Sequence, residues 1–215
     1  YAFFRDPVNR FLGKGQGTAT DFDATLAGGR LTYHMQAVEV QMNLLDSHDT
    51  VRFLTDVGGN WKRLMLAVMF GMTYVGAPHI YYGDEIGMEG GRDPDCRRPF
   101  LWDWEKDPKR VELRNYYKKL TALRNANVAL RTGDFRTVHA QGMVYGYVRS
   151  GGGSEFLVAL NAGKSDMEMP LALADWGGKL TATDLMTGAT EAWSGEAKVK
   201  LPAETGRVFK LEKVR

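Results

Sequence analysis

The stretch Asn43-Leu44-Leu45-Asp46-Ser47-His48-Asp49-Thr50 decides how this chain reads. A short apolar run, Leu44-Leu45, stops abruptly in a cluster of ionisable groups, with Asp46 and Asp49 flanking His48. That pattern predicts a buried strand over Asn43–Asp49 that delivers polar side chains at its carboxyl end. A second run, Pro78-His79-Ile80-Tyr81-Tyr82-Gly83-Asp84-Glu85, repeats it, with a strand expected over His79–Tyr82. Between them Trp61, Leu64, Met65, Val68, Met69 and Met72 recur at helical spacing. This predicts a well-buried helix from Trp61 to about Tyr74, capped by Asn60. Strand, helix, strand argues for a parallel sheet with crossover connections. Two strands do not make a stable parallel sheet, so the segment reads as the tail of a larger α/β unit.

Upstream, Tyr1–Leu12 reads as an apolar entry and a short helix, with Asp6-Pro7 as cap and first helical residue. Gly13-Lys14-Gly15-Gln16-Gly17 is a loop without the Gly-Lys-Ser/Thr ending of a phosphate loop. Asp21 is expected to cap a helix that runs, interrupted at Gly28-Gly29, towards Met42. Downstream, Gly83–Pro99 is a long polar loop, and Asp107-Pro108 opens a helix with one apolar face (Leu113, Tyr116, Tyr117, Leu120, Leu123). After Asn127 come short β-rich runs at 135–138, 143–148, 156–160, 179–185, 197–201 and 207–211. They predict an antiparallel all-β unit, a small sandwich, in which Gly151-Gly152-Gly153 is a hairpin loop. The boundary is expected near Val128–Leu130.

The 215 residues can bury a core, and 44% hydrophobic with 25% charged residues is an ordinary globular balance. A formal net charge of +2, with no Lys/Arg stripe, gives no support to a nucleic-acid surface. The longest apolar run, Leu64–Phe70, is far short of a membrane span. Cys96 is the only cysteine, which precludes an intrachain disulfide and a Cys-based metal site, and suits a reducing compartment. Tyr1-Ala2-Phe3-Phe4-Arg5-Asp6 lacks the order of a signal peptide, and the absence of an initial Met leaves the natural start open.

Three readings fit His48 and its carboxylates. Carboxylates in a cleft can perform acid/base or nucleophilic work on a glycosidic bond. A His with Asp46 and Asp49 can bind a divalent metal for hydrolysis. Asp49 can simply cap a short helix over Thr50–Leu54. In the loop Gly90–Pro99, Asp93 and Arg97 suit vicinal sugar hydroxyls, a carboxylate accepting and a guanidinium donating a fork of hydrogen bonds. A local surface ion pair fits the same two residues. Trp102, Trp104, Tyr81 and Tyr82 can stack on sugar faces or fill a core, and Glu85 beside Asp84 is equally ambiguous.

Taken together, Asn43–Asp49, Gly76-Ala77-Pro78-His79-Ile80-Tyr81-Tyr82-Gly83-Asp84-Glu85-Ile86-Gly87 and Asp93-Pro94-Asp95-Cys96-Arg97-Arg98 resemble the α-amylase family of glycoside hydrolases. Within it they are most similar to the neopullulanase, cyclomaltodextrinase and maltogenic amylase group. The resemblance implies an α/β plus all-β chain: residues 1–128 as the C-terminal part of a (β/α)8 barrel, from the end of strand 6 through helix 8, and 129–215 as an antiparallel β domain. It implies Asp49 as the third catalytic carboxylate, a transition-state stabiliser that grips sugar hydroxyls. His48, Asp93 and Arg97 are implied to bind substrate. The family's nucleophile Asp and acid/base Glu lie on strands 4 and 5, and neither Glu39 nor Glu85 stands in the acid/base motif. The chain therefore resembles roughly the last third of a retaining enzyme acting on α-1,4-glucosidic bonds of cyclomaltodextrins, pullulan or starch fragments, and by itself it is expected to be non-catalytic. No cofactor is implied, calcium being variable in the family and not placeable here. The implied partner is an α-glucan, without nucleic acid or membrane, in a cytoplasmic and possibly homodimeric parent.

Overall fold

A computed structural model describes residues 1–214. The first part carries α1 (Arg5–Val8), a π-helical turn (Asn9–Gly13), α2 (Ala19–Thr32), α3 (Met35–Glu39), β1 (Met42–Leu44), α4 (Phe53–Asp56), α5 (Trp61–Thr73), β2 (Ala77–His79), α6 (Pro108–Ala126) and α7 (Val128–Thr132). Strands β1 and β2 pair in parallel, Met42 opposite Ala77 and Leu44 opposite His79, joined by the crossover that contains α5. Both strands are shorter than expected. The chain leaves β1 once Asp46 and Ser47 turn to side-chain hydrogen bonds, and it leaves β2 at the Tyr81–Asp84 turn.

Helix α5 starts where Asn60 Oδ1 accepts from the Arg63 N–H at 3.2 Å, and α6 where Asp107 accepts from the Lys109 N–H at 2.9 Å with Pro108 in the first turn. Helix α1 differs, because no side chain caps it. Helix α2 also departs from expectation. Thr18, not Asp21, is its cap, and the helix runs unbroken through Gly28-Gly29. Phe3 explains the second glycine: a Cβ at Gly29 would lie 2.7 Å from the Phe3 Cβ, so the glycine permits a close approach.

The second part is β3 (Asp134–Gln141), β4 (Val144–Gly151), β5 (Ser154–Asn161), β6 (Met167–Ala172), β7 (Lys179–Asp184), β8 (Thr190–Ser194), β9 (Glu196–Leu201) and β10 (Thr205–Lys213). Six strands form an antiparallel sheet in the order β3-β4-β5-β10-β7-β8, and β6 pairs with β9 as a separate ribbon. Gly152 and Gly153, both at positive φ, make the tight turn between β4 and β5.

The two antiparallel sheets pack on each other, and helices cover the other face of the larger one. Along β4 and β5, Tyr145, Tyr147, Val158 and Leu160 join the cluster built on α2, α5 and α6, while Val144, Val148, Leu157 and Ala159 face the β6–β9 ribbon. The large sheet is thus buried on both faces, which is why Phe156-Leu157-Val158-Ala159-Leu160 is apolar at every position. Helices and sheet share one continuous core.

Candidate active site

The turn after β1 is held by its own side chains. The Ser47 N–H donates to Thr50 Oγ1 at 2.9 Å, and the Asp49 N–H donates to Ser47 Oγ at 3.2 Å. Such local bonds fix a turn without a ladder. They leave the His48 and Asp49 side chains in solvent, 61% and 59% exposed. Asp49 caps no helix. The first N–H of α4, on Phe53, donates instead to Asp46 Oδ2 at 2.5 Å. The helix-cap alternative for Asp49 therefore fails, and the capping carboxylate is Asp46.

Asp93 and Arg97, far along the chain, meet that turn. Arg97 Nε lies 2.7 Å from Asp93 Oδ1 and donates to the His48 carbonyl at 3.0 Å, while one of its terminal nitrogens lies 3.5 Å from Asp49 Oδ1. His48 Nε2 is 3.3 Å from the same Asp49 oxygen. The four residues expected to act on a sugar, His48, Asp49, Asp93 and Arg97, thus converge on one exposed surface. Carboxylate acceptors and fork-shaped donors at this spacing suit a polyhydroxylated ligand. Asp46 takes no part in that surface. It is 1% exposed and lies beneath it, so the three-ligand metal set of Asp46, His48 and Asp49 does not assemble. Among the described residues no three His, Cys, Asp or Glu side chains converge as metal ligands.

Beneath the surface lies a cluster that the sequence reading passed over. Arg52 is fully buried. Its Nε donates to the Cys96 carbonyl at 3.0 Å, and one terminal nitrogen donates to the Tyr82 carbonyl at 2.6 Å and to Asp84 Oδ1 at 3.0 Å. The Tyr81 and Tyr82 rings lie 4.1 and 4.7 Å from its central carbon, where a guanidinium is attracted to aromatic faces. These tyrosines serve the arginine, whereas Trp102 is 85% exposed. Glu85 closes a local turn by accepting from the Gly83 N–H at 2.7 Å. Burial pushes the Asp84 carboxyl well up from the ordinary carboxylate range; the Asp46 charge adds to the rise and Arg52 opposes it. Burial raises Asp46 as well, against the Phe53 N–H and Arg52. With both carboxyls ionised, Asp46 Oδ1 has no partner. The only sequence signal for this cluster was an Arg set between Val51 and the apolar pair Phe53-Leu54.

Comparison with known proteins identifies the family of the chain. The family model for the alpha amylase catalytic domain matches residues 18–133. The chain belongs to the α-amylase family. It is 43% identical over 209 residues to neopullulanase 2 of Thermoactinomyces vulgaris, covering 96% of this chain and 35% of that protein. It is 44% identical over 159 residues to the cyclomaltodextrinase of Thermoanaerobacter pseudethanolicus, covering 74% of this chain and 27% of that one. Its fold superposes with a TM-score of 0.84 on the α-amylase of Geobacillus thermoleovorans in complex with acarbose, at 25% identity, covering 97% of this chain and 46% of that one. The chain spans about a third or less of the length of the curated relatives it matches. No helix of the described residues is long and apolar enough to cross a membrane.

Proposed function

We propose that this chain forms part of the active site of a retaining α-glucan hydrolase that cleaves α-1,4-glucosidic bonds in cyclomaltodextrins, pullulan or starch oligosaccharides. The convergence of Asp49, His48, Asp93 and Arg97 on one exposed surface carries the reading. Names of relatives, neopullulanase and cyclomaltodextrinase, supply the substrate class. In this reading β1 and β2 are the seventh and eighth strands of a (β/α)8 barrel within residues 1–128. Residues 129–215 form the β domain that packs behind them. The nucleophile and the acid/base come from other segments of the whole protein.

Asp49 acts on the sugar ring next to the scissile bond. Its carboxylate accepts hydrogen bonds from ring hydroxyls, and these strengthen as the ring flattens and gains oxocarbenium character. Arg97, with a terminal nitrogen 3.5 Å away, helps aim that carboxylate. Together with Asp93 and His48 it holds glucose hydroxyls by forked, charge-assisted bonds.

The test is sugar release by the whole protein that contains this chain. Reducing ends are measured from β-cyclodextrin, pullulan and soluble starch. Turnover of at least one, with the α-anomer released first, is expected. A pure, folded whole protein that binds these glucans without turnover would instead identify a carbohydrate-binding module.

A further inference from the structure

We propose that Arg52, with Cys96 beside it, is the positioning device of this site, setting the registry between the Ser47–Asp49 turn and the Asp93–Arg97 loop. The proposal rests on the reading of Asp49 as a transition-state stabiliser.

Arg52 touches no exposed surface, yet its bonds other than that to Asp84 end on the loops that carry the exposed residues. Its backbone N–H donates to the Gly90 carbonyl at 3.0 Å, at the head of the Asp93–Arg97 loop. Its Nε holds the Cys96 carbonyl, one residue before Arg97. Its terminal nitrogen holds the Tyr82 carbonyl, and the Tyr82 hydroxyl in turn donates to the Arg98 carbonyl at 2.8 Å. Cys96 Sγ completes the link by donating to the His48 carbonyl at 3.1 Å. The turn after β1, the turn after β2 and the long loop thus share one buried fork.

A planar guanidinium can meet three acceptors from fixed directions, which a lysine ammonium cannot reproduce. Asp84 anchors the fork from below, and the tyrosine rings cover its faces. A buried ion pair of this kind adds little to folding relative to apolar side chains of the same volume. Its distinguishing property is geometry. Displacement of a contact group by about 1 Å can cost on the order of a hundredfold in rate, and Asp49 is tethered through its own short turn and through Arg97 on the loop that Arg52 holds.

The experiment is a double-mutant cycle in the whole protein, reading kcat and KM on β-cyclodextrin, inhibition by acarbose, and Tm. Arg52→Lys is expected to lower kcat about tenfold with KM within about twofold, and to weaken acarbose more than β-cyclodextrin. In an Asp49→Asn background the same substitution is expected to cost less than about twofold, because the group it positions is already disabled. Equal fold losses in both backgrounds, or a wild-type kcat in Arg52→Lys, would overturn the proposal. If Arg52→Lys does not fold, Cys96→Ala runs the same cycle. It removes the bond to the His48 carbonyl and leaves Arg52 in place, and an additive or absent loss there also overturns the proposal. Asp49→Asn with unchanged kcat would overturn the underlying reading of the site, a result visible in the single variant alone.

Discussion

The Asp46, Arg52 and Asp84 side chains show how one buried cation organises the residues around it. Asp84 has a folded-state carboxyl above its unfolded value of 3.8, because burial and the Asp46 charge outweigh Arg52. A raised carboxyl stabilises the fold fully below the unfolded value, and that contribution is lost as pH rises through the folded value. Asp84→Asn keeps an oxygen towards Arg52 and cannot ionise. Its Tm relative to wild type is therefore expected to rise as pH increases above the unfolded value of 3.8. Thermal denaturation across that range checks it, and a difference independent of pH would show that Asp84 is already ionised at the acid end. The exposed residues of the candidate site, His48, Asp49, Asp93 and Arg97, could be singled out in the sequence because they lie in short local motifs. The buried ones could not. Whether an Arg or Asp is buried is set by what folds over it, and Tyr81, Tyr82 and Cys96 do so from 29 or more residues away.

At the scale of elements, the end of α5 repeats the same logic. Its last carbonyls have no helical partners, and two buried arginines from other elements supply them. Arg124 on α6 donates to the Met72 and Tyr74 carbonyls at 3.0 Å, and to that of Gly76. Arg149 on β4 donates to the Thr73 carbonyl at 2.7 Å and to the Gly133 carbonyl at 3.0 Å. Cations at a helix C-terminus also complement its dipole. Arg149→Leu strips several buried carbonyls of their partners at once, and is expected to destabilise the protein by about 3 kcal/mol or more. Chemical denaturation measures this, and a loss below about 1 kcal/mol would mean that water replaces the guanidinium. The α5 and α6 starts could be read from Asn60 and Asp107-Pro108, whose signals are local. Strands β6 and β8 could not. Pro170 breaks the β signature of Met167–Ala172, and in Thr190–Ser194 only Trp193 is buried.

At the scale of the whole molecule, Leu31, Tyr33, Met35, Val40, Met42 and Ile80 are exposed on α2, α3 and the segments around β1 and β2. Among the described residues β1 and β2 pair only with each other. Unpaired parallel strands beside exposed apolar side chains are a template for association. The proposed barrel would account for both, since in it further strands and helices would cover that side. The 215-residue chain prepared alone is accordingly expected to bind a hydrophobic dye and to self-associate with rising concentration, as followed by light scattering. A monomer that ignores the dye would contradict that reading. The parallel sheet and the later antiparallel sheet were both legible from periodicity. Their joining into one core was not, because the alternate burial of Tyr145, Tyr147, Val158 and Leu160 against α5 is a tertiary fact.

The most direct measurement is kcat and KM of Asp49→Asn in the whole protein on β-cyclodextrin. Hydrogen bonds that tighten in the transition state predict a kcat lowered by about a hundredfold or more, with KM changed by less than about threefold. A variant that turns over near the wild-type rate would contradict the assignment of Asp49, and with it the central claim about this site.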